Sequence, residues 1–259
     1  MNGYGWAAVL RNVIPFLILL ALSPHAPWLL APLIGLFIYR MTIVMHDCVH
    51  RTLFESAALN VCVGRVLGGI TGIAFHSFAA QHLRHHRTYG EPGDPQGFQY
   101  LGLKGMTRAQ FAWHLAKPLL GFNLRYALKE SLLNLRRVRT ADFALFAAMQ
   151  ALILTLVTGA GTSWWLAPLP FVSAATFGLF FSQLRGIAEH AAIGEAREKG
   201  NVRSHAPRWL DRVFLYDLNF NYHAEHHRHP HVPSRRLPML DHDALAPGMC
   251  STIRSIATT

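Results

Sequence analysis

Cysteine is scarce in this sequence of 259 residues. Cys48, Cys62 and Cys250 are odd in number and none stands in a C-x-x-C pair, so neither a disulfide framework nor a cysteine-bound iron–sulfur cluster is implied. Charge is scarce too, at 15% of residues, and acidic charge most of all, with 14 Asp and Glu against 24 Lys and Arg. There is no glycine-rich nucleotide-binding turn and no haem-attachment motif. Electrons for any redox reaction must therefore come from elsewhere. The first apolar run has no charged stretch leading into a small-residue cleavage site. It is flanked by Arg11 and followed by Pro24 and Pro27, which reads as a retained membrane segment and not a signal peptide.

What replaces charge is hydrocarbon. Hydrophobic residues make up 51% of the chain, and Ser163 to Leu184 holds no charge over 22 residues, enough for a helix to cross a hydrocarbon core of about 30 Å. The expectation is an all-α membrane protein, one domain over 1–259, with four transmembrane helices near 6–22, 28–45, 141–160 and 163–184. These form two hairpins, turned at Ser23 to Pro27 and at Gly159 to Ser163. Trp6 and Trp28 suit the interfaces, and Arg11 and Arg40 are expected to snorkel toward headgroups. Ala57 to Ala79 is apolar but carries Arg65 and several glycines. It is expected to be interfacial or re-entrant, because a crossing there would separate His82 from His46. Phe111 to Arg139 reads as an amphipathic surface stretch broken near Pro118.

The net charge of +10 does not argue for nucleic acid, because of where the cations fall. Twelve of the 24 Lys and Arg lie between Arg51 and Arg139 and ten from Arg185 onward, and the two short turns have none. By the positive-inside rule, residues 46–140 and 185–259 form a cytoplasmic helical cap, with both termini on that side. The placement expected is the inner membrane of a bacterium, among anionic lipids.

Histidine is the informative residue. His46 and His50 stand in His-Asp-Cys-Val-His, while His82, His85, His86 and His223, His226, His227 repeat an H-x-x-H-H spacing. Residues three and four apart share a helix face, so each cluster can aim at least two ring nitrogens at one point. Imidazole suits iron, zinc, copper and nickel, which argues for one or two transition metals. The competing reading is a surface histidine tract that collects zinc adventitiously. His190, preceded by Glu189, follows the fourth span much as His46 follows the second. Asp47, Asp94 and Glu189 are candidates to orient ring nitrogens from behind, whereas Glu225 reads as an ordinary solvated charge. His25, His76, His114, His205, His229, His231 and His242 are expected in core or surface roles.

These motifs, in this order and between two apolar hairpins, resemble the integral-membrane fatty acid desaturases with their hydroxylase and ketolase relatives. The likeness runs from His46 to Pro238 and is strongest in His-Asp-Cys-Val-His, in His82 to Pro95, and in Asn-Tyr-His-Ala-Glu-His-His-Arg-His-Pro-His-Val-Pro. It implies a non-haem di-iron centre that uses molecular oxygen and two electrons to cleave an unactivated C–H bond of a fatty-acyl or other lipid-like substrate. By the same resemblance, His46, His50, His82, His85, His86, His190, His223, His226 and His227 would hold the two iron ions. A separate electron donor, small, acidic and ferredoxin-like, would dock beside Arg84, Arg87, Arg228, Arg235 and Arg236. Two departures stand out. Gly186 occupies the place of an asparagine found in animal acyl-CoA desaturases, and the third cluster begins with histidine where front-end desaturases have glutamine. The alternatives are a carotenoid ketolase or hydroxylase and, in another class, a histidine-lined membrane metal carrier or sensor. The carrier would need ionisable residues at mid-membrane, and Ser163 to Leu184 offers only Ser173, Thr176, Ser182 and Gln183 as polar groups.

Overall fold

The computed structural model describes residues 2–133, 140–159, 163–191 and 202–258. All regular structure among them is helical. Four helices are long and apolar enough to cross a membrane: α1 (Asn2–Leu22), α2 (Pro27–Val49), α7 (Thr140–Val157) and α8 (Trp164–His190). Pro27 opens α2 in the first turn, where no backbone donor is required. The Ser23 hydroxyl donates to the Leu20 carbonyl and closes α1. Both α2 and α8 run past the ends of their apolar stretches. His46 and His190 therefore lie inside their helices and not beyond them. The apolar count stops short because it registers lipid-facing residues, whereas the inward face of α2 stays buried through Met45, His46, Asp47 and Cys48.

The core joins Phe16 and Leu20 of α1, Ile34, Met41 and Met45 of α2, Ile153 and Val157 of α7, and Leu166 and Leu169 of α8. The expected pairing of the last two spans is loose: α7 packs chiefly on α3 (Ala57–Thr71), and α8 packs on α2. Residues 160–162, on which the second turn was expected, lie outside those described, as do 134–139 at the end of the surface stretch. The rest of that stretch forms α5 (Arg108–Ala116) and α6 (Leu124–Leu133), with the break spanning Pro118. A Thr107 and Gln110 capping box starts α5.

The glycine-rich segment resolves into α3 and α4 (Phe75–Thr88), bent by 104° from one another. Ser56 caps α3 by accepting from the Leu59 amide, and Gly72 ends it with φ of 76°, a left-handed conformation that glycine adopts without strain. The Phe75 ring lies against Gly64, where an added Cβ would come within 2.3 Å of it. Gly69 similarly receives Met149 of α7. Arg65 pairs with Asp142 at the start of α7 at 2.7 Å, and His76 approaches the same carboxylate at 3.2 Å. The bend turns α4 back so that His82 meets His46, with ring centroids 4.3 Å apart. A pair of helices bent in this way is either a broken span or a re-entrant loop.

Arg11 and Arg40 do not reach outward for headgroups. Both bind the buried carboxylate of Asp217, Arg40 at 3.0 Å, and the Asn12 amide donates to the same group at 2.8 Å. Arg40 also donates to the Val213 carbonyl at 2.7 Å, and the Tyr39 hydroxyl donates to Leu215 O at 2.6 Å. A guanidinium this close to buried acceptors gains more from them than from a distant phosphate, which is why snorkelling loses. The segment leading to α10 (His223–Arg228) is thereby fixed to the first two spans. Asp217→Asn leaves the half-buried Arg40 without its counter-charge and should destabilise the protein by about 1–2 kcal/mol. Thermal unfolding in detergent checks this, and an unchanged midpoint would remove the clamp from the account.

Candidate metal centre

All nine histidines singled out by the motifs come together, in two groups. His46, His50, His82, His86 and His226 form one; His85, His190, His223 and His227 form the other. In each, one donor atom per residue lies within 4.8 Å of every other. Helical spacing explains the partition. Positions i and i+4 of each H-x-x-H-H motif go to one group and position i+3 to the other. Thus α4 sends His82 and His86 to the five-membered group and His85 to the four-membered group. Helix α10 does the reverse, sending His223 and His227 to the four and His226 to the five. His46 and His50 follow from the last turn of α2, and His190 from the last turn of α8.

The ring nitrogens face one another. His82 Nε2 is 2.7 Å from His50 Nε2 and 2.9 Å from His86 Nε2, and His226 Nε2 is 3.1 Å from His86 Nε2. In the other group, His223 Nε2 is 3.0 Å from His190 Nε2 and 3.1 Å from His227 Nε2. The two groups touch, with the His86 and His227 rings stacked at 4.3 Å.

Carboxylates stand beside the outer nitrogens of two of the rings. Asp94 accepts from His85 Nδ1 at 2.9 Å and is held by the Gln96 amide at 2.8 Å and by the Tyr100 hydroxyl. Asp47 lies 3.2 Å from His46 Nδ1, with the Ser234 hydroxyl donating to its other oxygen at 2.5 Å. With Nδ1 protonated toward a carboxylate, a neutral ring carries its lone pair on Nε2, and His46 Nε2 and His85 Nε2 are both buried without a hydrogen-bond partner. Unpaired lone pairs converging in a buried space are costly unless a cation takes them. The donor set is all imidazole, which fits a first-row transition metal and not magnesium or calcium.

Burial and neighbouring rings hold His223, His226 and His227 neutral, the form that binds a metal. Burial lowers His50 to about 4 and pushes His223, His226 and His227 well below the ordinary histidine range.

Two carboxylates depart from expectation. Glu225 is 1% exposed, not solvated, and accepts from the Ser204 hydroxyl. Its position between His223 and His226 on one short helix was the available signal, because a helix that buries those rings leaves little room for solvent beside them. Glu189 does not stand behind a ring at Nδ1. It lies 3.4 Å from His223 Nε2, on the side where the rings converge. Above Gly186 the space is taken by Gln99, whose amide oxygen would be 2.2 Å from an added Cβ. Of the other histidines, His114 donates to the Gln99 carbonyl at 2.8 Å, and His205 is buried against the Pro247 and Ala188 carbonyls. Of the five arginines expected to receive a donor protein, Arg84 pairs with Glu130 and Arg228 with Asp243, while Arg87 and Arg236 are exposed.

A cavity of about 160 Å³ opens against His46 and His82 and continues between α2 and α8 past Thr42, Ile38, Leu179 and Ala174. A π-helical turn at Ala174–Gly178 shapes its α8 wall, where Gly35 of α2 approaches within 2.6 Å of Phe177 and the Ser173 carbonyl as measured from an added Cβ.

Four apolar helices carrying two adjoining groups of imidazoles at one end define a membrane protein whose histidines are grouped so that they could hold metal ions. Residues 23–255 match the fatty acid desaturase family, and the chain belongs to that family. It is 23% identical over 90% of its length to a chloroplastic omega-6 fatty acid desaturase of Brassica napus, and 25% identical over 78% to the sphingolipid delta(4)-desaturase DES1 of Mus musculus. A 26% likeness to an endoplasmic-reticulum omega-3 fatty acid desaturase of Nicotiana tabacum covers 48% of the chain. The chain spans 58% and 60% of the length of the first two relatives.

The neutral rings set a pH dependence for the metal-free protein. Because burial lowers His50 to about 4 in the fold, below the ordinary histidine value of about 6.5, the unfolded chain binds protons first as pH falls. The associated stability is complete above pH 6.5 and lost on descent toward pH 4. Unfolding midpoints of metal-depleted protein should fall steadily across that window, and a flat profile would mean that the rings are not held neutral by the fold.

Proposed function

We propose that this chain is an oxygen-dependent di-iron desaturase, or hydroxylase, that attacks an unactivated C–H bond of a fatty-acyl or similar lipid. The observation that carries the reading is the convergence of nine imidazoles, six of them buried, in groups of five and four, with orphaned Nε2 atoms on His46 and His85. The nine would hold two iron ions, and the ions would supply oxygen activation. The residues of the chain do the rest. Asp47 and Asp94 keep Nδ1 protonated and turn Nε2 inward. Burial excludes water that would compete for the reacting position. The cavity wall of Ile38, Ile43, Leu179 and Ala174 suits a hydrocarbon chain and leads it to His46 and His82, so that one C–H bond is presented to the centre. A carotenoid would be the alternative substrate, but the relatives named above are fatty acid and sphingolipid desaturases by name. These relatives come from plants and a mammal and lend nothing to a bacterial inner membrane.

The remaining elements of the proposal are a cytoplasmic face for residues 46–140 and 185–259 and a separate ferredoxin-like donor. The Lys and Arg distribution supports the first. The second rests on exposed Arg87 and Arg236 near the centre, where a basic patch would steer an acidic partner. Single cysteines placed at Gln96 and at Ser163 should label from opposite sides of sealed vesicles; labelling from one side would remove this orientation.

The direct test is turnover. Purified protein given oxygen, lipid and reduced ferredoxin-like donor should yield an unsaturated or hydroxylated product, with close to two irons per chain. His85→Ala should lose product and metal together while remaining in the membrane. Stoichiometric zinc without oxygen consumption would refute the enzyme reading.

A further inference from the structure

The two imidazole groups are unequal, and the difference falls where Glu189 stands. Its side chain is 1% exposed, at the last turn of α8 and next in sequence to His190. Asp47 and Asp94 approach the outer nitrogens, Nδ1, of His46 and His85. Glu189 instead approaches an inner one: its Oε2 is 3.4 Å from His223 Nε2, the atom that also faces His190 Nε2 at 3.0 Å and His227 Nε2 at 3.1 Å. Its other oxygen, Oε1, is buried and has no hydrogen-bond partner. The ion pair with Arg185 runs through Oε2 and leaves Oε1 unmet. Arg185 Nε is 3.7 Å away, beyond hydrogen-bond range, and that guanidinium lies over the Phe220 ring at 4.5 Å.

We propose that the Glu189 carboxylate is a direct metal ligand, the fifth donor that the four-imidazole group lacks. The inference rests on the metal reading given above and goes beyond it by assigning a donor other than histidine. Two physical arguments support it. A buried carboxylate with a free oxygen is costly unless a cation meets it, and Glu189 Oε2 turns toward His223 Nε2, the nitrogen that also faces those of His190 and His227. An anionic donor at one site only would also make the two metals chemically distinct. One ion would see five neutral rings and the other four rings and a negative charge, so the second would carry lower net charge.

The rival account is structural: Glu189 serves as counter-ion to Arg185 and touches no metal. Cobalt(II) titration of metal-depleted protein, followed by its visible absorption, separates the two without requiring turnover. Wild-type protein should bind two Co²⁺ per chain. Glu189→Gln, which keeps shape and removes charge, should keep one tight site and weaken the other at least tenfold. His50→Ala, which damages the five-imidazole group, should weaken the opposite site, so that the double variant loses both. Arg185→Gln should bind two Co²⁺ with wild-type spectra, because the carboxylate remains.

Glu189→Gln with the wild-type binding curve and spectrum would overturn the ligand assignment while leaving the metal reading intact. Loss of one site in Arg185→Gln to the same extent as in Glu189→Gln would establish the counter-ion role in its place. Wild-type protein that takes up no Co²⁺ would end both this inference and the metal reading. The site retained in Glu189→Gln serves as its own control for folding. Should that variant bind none, Glu189→Asp decides: two equivalents are expected because a carboxylate is restored, and one equivalent would overturn the proposal.

Discussion

Nine imidazoles, six of them buried, with their ring nitrogens pointing at one another are the constraint to which the rest of this structure answers. Left to themselves they would be an unfavourable core, because each nitrogen taken from water needs a donor or a cation, and lone pairs at His46 Nε2 and His85 Nε2 have neither within the chain. The fold maintains the arrangement by rigid supports. Three of the four contributing elements are the ends or returns of packed helices: the last turn of α2, the last turn of α8, and α4 bent back on α3. The fourth, α10, is only six residues long and gains its position from outside itself.

Asp217 supplies that support. By holding Arg11, Asn12 and Arg40 at once, it fixes the chain just before α10 to the first two membrane helices. Ser234 does the same just after α10, by donating to Asp47 at the end of α2. The short helix carrying three of the nine rings is thus pinned from both flanks to the one that carries His46 and His50. A centre built this way depends on contacts separated by some 200 positions, between Arg11 or Asn12 and Asp217.

That separation also explains what the sequence made legible. The apolar spans and the histidine spacings are local patterns, readable from hydropathy and from the i, i+3, i+4 geometry of a helix, and both reappear in the structure. The nine rings were nameable because each lies in a short motif or, for His190, at a matching helix end. The division into five and four was not, since it depends on how α4 and α10 are rotated against each other. Arg11 and Arg40 were assigned to headgroups because their partner, Asp217, lies far along the chain in an irregular segment. Glu225 reads as solvated because scarce charge usually is, yet it shares a short helix with the buried rings of His223 and His226. The glycines of α3 signalled a close approach without naming Phe75 and Met149 as the groups received.

The central claim is that the two imidazole groups are two iron sites. Anomalous diffraction from crystals of iron-loaded protein, recorded on either side of the iron absorption edge, tests it most directly. The account predicts two edge-dependent peaks per chain, one among His46, His50, His82, His86 and His226 and one among His85, His190, His223 and His227. A single peak, or peaks lying outside both groups, would contradict it.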